Sequence, residues 1–384
     1  MRETREYLKC ISTPLADAAG SFVNADIRSF ACVVGVGATL SAFDRYLEAA
    51  KQVALYIEET PYNIYAGYDD LVACEYSFYM NRTDAARNHA HSAIVKARGN
   101  KQYSIAMTAE KYLLDIAMYE GNAALAKEAL KQMHSFLDNS DFWNRQLYYD
   151  LYTGVFYAQL GLLEMVPQWF FFDERELGSA FRLPIRELII NVIVLIVSKK
   201  YEQALMVLCN SYPREPYEQF LFGELCLSLL SAVVRMHVGD TSGAMTDFDK
   251  AYELSYCGVF ETFFIRLGKE LNPLVVEALK KPDCRIPKEW LNTINRKASI
   301  YAKKVTVVAS AFRREMKIKE PIILTERERE VLTDLYHGLT REEIADNLHI
   351  SINTVKTILQ SIYTKLDANN NVIAVRVALE QNLI

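Results

Sequence analysis

Apolar residues in the first two-thirds of the chain recur at three- and four-residue spacing. Leu113, Ile116 and Ala117 are followed by Leu125, Ala126, Ala129, Leu130 and Met133. That spacing lays one apolar stripe along an α-helix. Strand-like alternation is almost absent, and proline is sparse up to about residue 270.

The stripes are punctuated at regular intervals. Short turn signals fall at Asn81-Arg82-Thr83-Asp84, Glu120-Gly121-Asn122, Leu160-Gly161, Lys199-Lys200-Tyr201-Glu202 and Val238-Gly239-Asp240. Taken at residues 82, 121, 161, 200 and 239, they are separated by 39, 40, 39 and 39 residues. A fainter signal lies one period upstream, near Ser41-Ala42-Phe43-Asp44. Each turn introduces an Ala-rich stretch, such as Ala123-Ala124-Leu125-Ala126, whose small residues let two helices approach closely. A helix pair cannot bury its apolar face alone, so neighbouring pairs must stack. The predicted fold class is all-α, with a helical-repeat solenoid over residues 1–279. It resembles a tetratricopeptide-type array, with a repeat longer than the usual length of about 34 residues.

Aromatic residues crowd the middle of this region: Tyr148, Tyr149, Tyr152, Phe156, Tyr157, Trp169, Phe170, Phe171 and Phe172. Most fit a solenoid core. Adjacent helical residues point about 100° apart, so one core face cannot bury all of Phe170-Phe171-Phe172. Trp169, Phe170, Phe171 and Phe172 are therefore candidates to meet another helix, a partner or a ligand.

Past residue 279 the charge pattern changes. Residues 280–320 hold twelve basic and four acidic residues, a local charge of +8 in a chain of net −5. Ile294, Ala298, Tyr301, Ala302, Val305 and Val308 keep helical spacing through it. This reads as a basic amphipathic helix and linker over residues 280–321. It reads as a solvated face at a domain joint, as a surface for phosphates of nearby DNA, or as both, since a joint beside a DNA-binding domain lies near the duplex backbone.

Residues 322–384 carry the densest local signals. Thr325 with Glu328, and Thr340 with Glu343, each form a capping box opening a helix. Gly338 stands at the C-terminal cap of the first, and His349-Ile350-Ser351 makes a tight turn after the second. The third helix buries Val355, Ile358, Leu359, Ile362 and Leu366 and exposes Asn353, Thr354, Lys356, Thr357, Gln360 and Lys365, without an acid. An acid-free polar face on a helix after a short turn suits the DNA major groove. A fourth helix near 371–381 carries Val372, Val375 and Leu379, more apolar surface than a small core uses, which points to a homodimer contact.

Leu324-Thr325, Arg327 to Leu332, Gly338-Leu339, Glu343-Ile344-Ala345, Leu348, Ser351, Thr354-Val355-Lys356 and Ile362 to Leu366 together resemble the LuxR-type helix-turn-helix. The resemblance implies a recognition helix starting near Ser351. It gives Lys356, Thr357 and Gln360 groove-facing roles and puts Thr354 and Lys365 on phosphates. Three positions depart from the family: Ile358 replaces a His, Asp367 a Gly and Asn371 an Arg. The segment has six basic and nine acidic residues, a charge of −3, so dimerisation and the basic joint are expected to support DNA binding. Repeats followed by this module also resemble the C-terminal part of MalT-like regulators, which implies a sensor region ahead of the DNA-binding domain.

Other chemistry finds little support. The seven cysteines form no Cys-x-x-Cys pair and read as buried thiols in a reducing compartment. No metal site, cofactor, catalytic constellation or Gly-x-x-x-x-Gly-Lys-Ser/Thr loop is recognisable. No segment has the length of a membrane span, the best candidate being Leu188 to Val197, which carries Asn191, and the N-terminus lacks signal-peptide form. The expectation is a cytoplasmic, non-enzymatic bacterial one-component transcription regulator. It would bind promoter double-stranded DNA as a homodimer under control of a small-molecule or protein effector. The alternative is a helical-repeat interaction scaffold in which DNA contact is secondary.

Overall fold

The computed structural model describes residues 48, 51, 66–142, 145–171, 185–211, 221–282, 284–317, 324–366, 368–380 and 383–384. The described residues are helical and contain no strand. Two compact units are present, Met1–Phe312 and Arg313–Ile384. None of the described helices is long and apolar enough to cross a membrane.

The first unit is built from helical hairpins. The first pairs α1 (Tyr68–Tyr79) with α2 (Thr83–Gly99), and the second α3 (Tyr103–Glu120) with α4 (Ala123–Ser135). The third opens with α5 (Arg145–Gln159), the fourth pairs α6 (Ile185–Val197) with α7 (Tyr201–Ser211), and the fifth α8 (Leu221–His237) with α9 (Thr241–Leu254). The opening helices α1, α3, α5, α6 and α8 pack in succession, each on the next.

One backbone device closes all five hairpins. Asn81, Gly121, Gly161, Lys199 and Gly239 adopt left-handed conformations, with φ of 58°, 76°, 66°, 57° and 85°. The following amides of Arg82, Asn122, Leu162, Lys200 and Asp240 donate to the carbonyls of Ser77, Ala117, Tyr157, Leu195 and Arg235 at 2.8–2.9 Å. This is the six-to-one bond of a Schellman cap, which satisfies a helix-end carbonyl and turns the chain. Asn122 and Asp240 then cap the next helix through Leu125 N (3.0 Å) and Gly243 N (2.9 Å). The spacing of turn signals thus corresponds to a spacing of left-handed residues. The candidate turn near Ser41 lies outside the described residues.

Left-handed backbone costs an L-residue with a Cβ about 1 kcal/mol. Lys199→Gly is therefore expected to stabilise the chain by about 1 kcal/mol. Gly239→Ala, where the added Cβ meets open space, should destabilise it by a similar amount. Urea midpoints of the two variants moving in the same direction would contradict this.

The third hairpin departs from the pattern. After Gly161 the chain forms short 3-10 segments, Leu163–Met165 and Gln168–Phe171, in place of an Ala-rich helix. Pro167 between them has no amide donor and would break a helix interior. Phe170 is buried. Its ring lies over Gly154, where a Cβ would come within 2.6 Å of it, and its carbonyl accepts from Asn191 Nδ2 at 2.8 Å. Phe170 thus packs between helices of its own chain, the first of the contacts expected for this run. Phe172 lies outside the described residues, as do the side chains of Trp169 and Phe171.

After α9 the chain turns back on the array through α10 (Glu261–Ile265), α11 (Leu271–Lys280) and the long α12 (Lys288–Met316). Thr262 donates to the carbonyls of Phe78 and Tyr79 (3.2 and 3.3 Å), and Phe263 stacks on Tyr79. Arg266 pairs with the buried Asp115 at 3.0 Å. Cations of the basic stretch are engaged by the same unit, Lys304 with the carbonyl of Tyr119, Arg285 with Glu253 on α9 and Lys297 with Glu261 on α10. Arg296 and Lys303 face solvent.

Candidate nucleic-acid interface

The second unit contains α13 (Glu326–Tyr336), α14 (Arg341–Asn347), α15 (Ile352–Leu366) and α16 (Asn371–Glu380). Both capping boxes form. Thr325 N donates to Glu328 Oε2 at 2.7 Å while Glu328 N donates back to Thr325 Oγ1 at 3.2 Å. Thr340 and Glu343 make the same exchange at 2.7 and 3.3 Å. Each box satisfies two otherwise orphaned donors at a helix start.

The turns are equally local. Gly338 (φ 85°) lets Leu339 N reach the carbonyl of Asp334. His349 (φ 53°) lets Ile350 N reach that of Ala345, which swings the chain from α14 into α15. Ser351 Oγ accepts from Thr354 N at 3.1 Å and lies 2.8 Å from the Thr354 hydroxyl, capping α15. Val331, Leu332, Ile344, Val355, Leu359 and Ile362 form the centre of a small core. Ile358, which replaces the family's His, packs half-buried against it.

This core fixes what α15 presents outward. Asn353, Thr354, Lys356, Thr357, Gln360 and Lys365 are all exposed, and so is Ser351 at the cap. Thr357 donates to the carbonyl of Asn353 at 3.0 Å, which orients its hydroxyl along the helix. Lys356 and Gln360 lie four residues apart, one helical turn, so they share a face.

The link between α13 and α15 was not legible in the sequence. Glu328, 7% exposed, accepts from Lys365 Nζ at 2.7 Å, and its other oxygen accepts from Ser361 Oγ at 2.7 Å. Burial pushes this carboxyl up, but the Lys365, Ser361 and Thr325 donors outweigh that effect and hold it down at about 2. Lys365, read from sequence as a phosphate contact, also ties the far end of α15 to the start of α13. Only the capping-box role of Glu328 was visible locally.

On α16, Val372 is 78% and Leu379 44% exposed, while Val375 is half-buried against the core. The Tyr363 hydroxyl donates to Asn371, so the residue replacing the family's Arg joins α15 to α16. Asp367 lies outside the described residues.

Residues 322–378 match the family described as bacterial regulatory proteins, luxR family. Proteins named response regulator protein VraR, from Staphylococcus aureus, Staphylococcus saprophyticus and Staphylococcus epidermidis, are each 44% identical over 62 residues. That stretch is 16% of this chain, and the chain spans 30% of the length of these relatives. The C-terminal segment of this chain is a helix-turn-helix domain of the luxR family.

Proposed function

We propose that the chain is a bacterial one-component transcription regulator that binds promoter double-stranded DNA through α15. The observation that carries this reading is the exposed, acid-free row Asn353, Lys356, Thr357 and Gln360 on α15, a helix capped by Ser351 and entered from α14 through a tight turn. In this reading the row faces base edges in the major groove. Ser351 and Thr354, at the start of α15, and Lys365, at its end, lie along the phosphates. Val372, Val375 and Leu379 pair two copies on a two-fold operator. Residues 1–279 form a tetratricopeptide-like sensor for a small-molecule or protein effector, residues 280–321 a basic connector and residues 322–384 the DNA-binding domain.

The test begins with selection of DNA from a randomised library by the full chain. Lys356→Ala with Gln360→Ala should remove about 10- to 100-fold of discrimination between selected and scrambled duplexes. Full discrimination retained in the double variant would mean that another surface reads the sequence. A second reading, a repeat scaffold with secondary DNA contact, is favoured by the acid excess of residues 322–384. It predicts one stoichiometric protein partner and no selected sequence.

A further inference from the structure

Helix α15 begins with an apolar side chain that the fold leaves uncovered. Ile352 is its first residue. It stands three, seven, ten and fourteen residues before Val355, Leu359, Ile362 and Leu366, the stripe that α15 buries. Those four are at most 3% exposed, whereas Ile352 is 39% exposed. Ile350 and Ile358, on either side of it in sequence, pack half-buried against the same core. The apolar stripe therefore runs one residue past the end of the core it fills. Ile352 is the one large apolar side chain exposed on α15.

Its surroundings are polar. Ser351, Asn353, Thr354, Lys356 and Thr357 are exposed around it, without an acid. Lys356 follows one helical turn later, so the two side chains are neighbours on the helix surface. A single exposed isoleucine is ordinary on a protein surface. This one stands where a helix-turn-helix presents residues to base edges, at the N-terminal end of the recognition helix. The base edges of the major groove carry hydrogen-bond donors and acceptors and one apolar group, the C5 methyl of thymine. A donor or acceptor covered by Ile352 would lose its water and gain no partner. A thymine methyl is covered without that loss.

We propose that Ile352 is a specificity-determining residue that covers the C5 methyl of a thymine in the bound DNA. The inference rests on the DNA-binding reading above. It adds one apolar contact to the polar row and fixes where that contact falls. Ile352 and Lys356 are about 6 Å apart along the helix axis. Successive bases of one strand are about 3.4 Å apart. The thymine therefore lies within about two base pairs of the base that Lys356 reads.

The test uses the full chain and a duplex that it selects from a random library. Each thymine of that duplex is replaced in turn by uracil, which keeps the O4 acceptor and lacks the methyl. Loss of one covered methyl weakens binding about fourfold. Wild type should show that loss at one thymine per bound α15, within about two base pairs of the position whose preference disappears in Lys356→Ala. Ile352→Ala should bind the thymine and uracil duplexes alike. A flat uracil scan in wild type overturns the inference, and that result requires no variant to fold. A methyl dependence that persists in Ile352→Ala also overturns it. The contact then passes to Thr357, whose hydroxyl is held by the Asn353 carbonyl at 3.0 Å and whose methyl remains for a base. In both cases the selected sequence and its dependence on Lys356 and Gln360 stand. If wild type selects no sequence, the DNA-binding reading fails and the inference fails with it.

Discussion

Lys365→Met is expected to destabilise the DNA-binding domain by about 2 kcal/mol, whereas Lys356→Ala leaves its stability unchanged. Both residues are exposed on α15, about 180° apart around it, and only Lys365 neutralises a carboxylate that the fold encloses. Glu328 is 7% exposed, and Lys365 is its one cationic partner among the contacts at that site. Removing the cation leaves a buried charge held by Ser361 and Thr325 alone. Breaking a fully buried pair costs about 3–5 kcal/mol. Lys365 is 35% exposed, so solvent screening reduces that figure. The pH dependence has a definite sign. The Glu328 carboxyl is held at about 2, below its ordinary value of 4.5. Its contribution is fully present above 4.5 and disappears as pH falls through about 2. Amide exchange over residues 324–366 should rise in Lys365→Met at pH 7, and the difference from wild type should shrink on acidification. Unchanged exchange with a flatter salt dependence of DNA binding would instead make Lys365 a phosphate ligand only.

The difference between Lys356 and Lys365 shows where sequence reasoning stops. Helical spacing leaves both outside the apolar stripe, and both are exposed, but nine residues set them about 180° apart around α15, and the spacing says nothing about which residue on another helix reaches Lys365. Features closed within a few residues were legible: the hairpin turns, both capping boxes and the outward row of α15. Features closed across the chain were not. Arg266 and Asp115 are 151 residues apart in sequence, and Thr262 and Phe78 are 184 apart. No local pattern records such pairs. The same limit explains Phe170, whose place in the core depends on Gly154 having no side chain to exclude it. It also explains the basic stretch. A charge count of +8 cannot reveal that Lys297 pairs with α10 and Lys304 with the second hairpin while Arg296 and Lys303 face solvent.

Glu75→Gln is expected to stabilise the first unit by about 3 kcal/mol at pH 7. Glu75 sits on α1, 2% exposed, and accepts from the Tyr112 hydroxyl at 2.5 Å. Burial pushes its carboxyl from 4.5 to about 8, against the opposing pull of Tyr112 and Lys111. The sign is opposite to that of Glu328. A carboxyl raised in the folded state contributes fully below about 4.5, and its contribution is lost as pH rises through about 8. At pH 7 the folded chain therefore holds a proton that the unfolded chain has released. Glutamine keeps the oxygen that receives Tyr112 and removes the titration. Wild-type stability should fall between pH 5 and 8, and the variant's should not. The loss should be felt where the return limb meets α1, because Phe78 and Tyr79, three and four residues beyond Glu75, receive Thr262. Amide exchange across residues 259–266 should accelerate with pH beyond the intrinsic rate in wild type and not in the variant. Parallel pH profiles for the two proteins would show that Glu75 is ionised in the folded chain, with its charge met by a group nearer than Lys111.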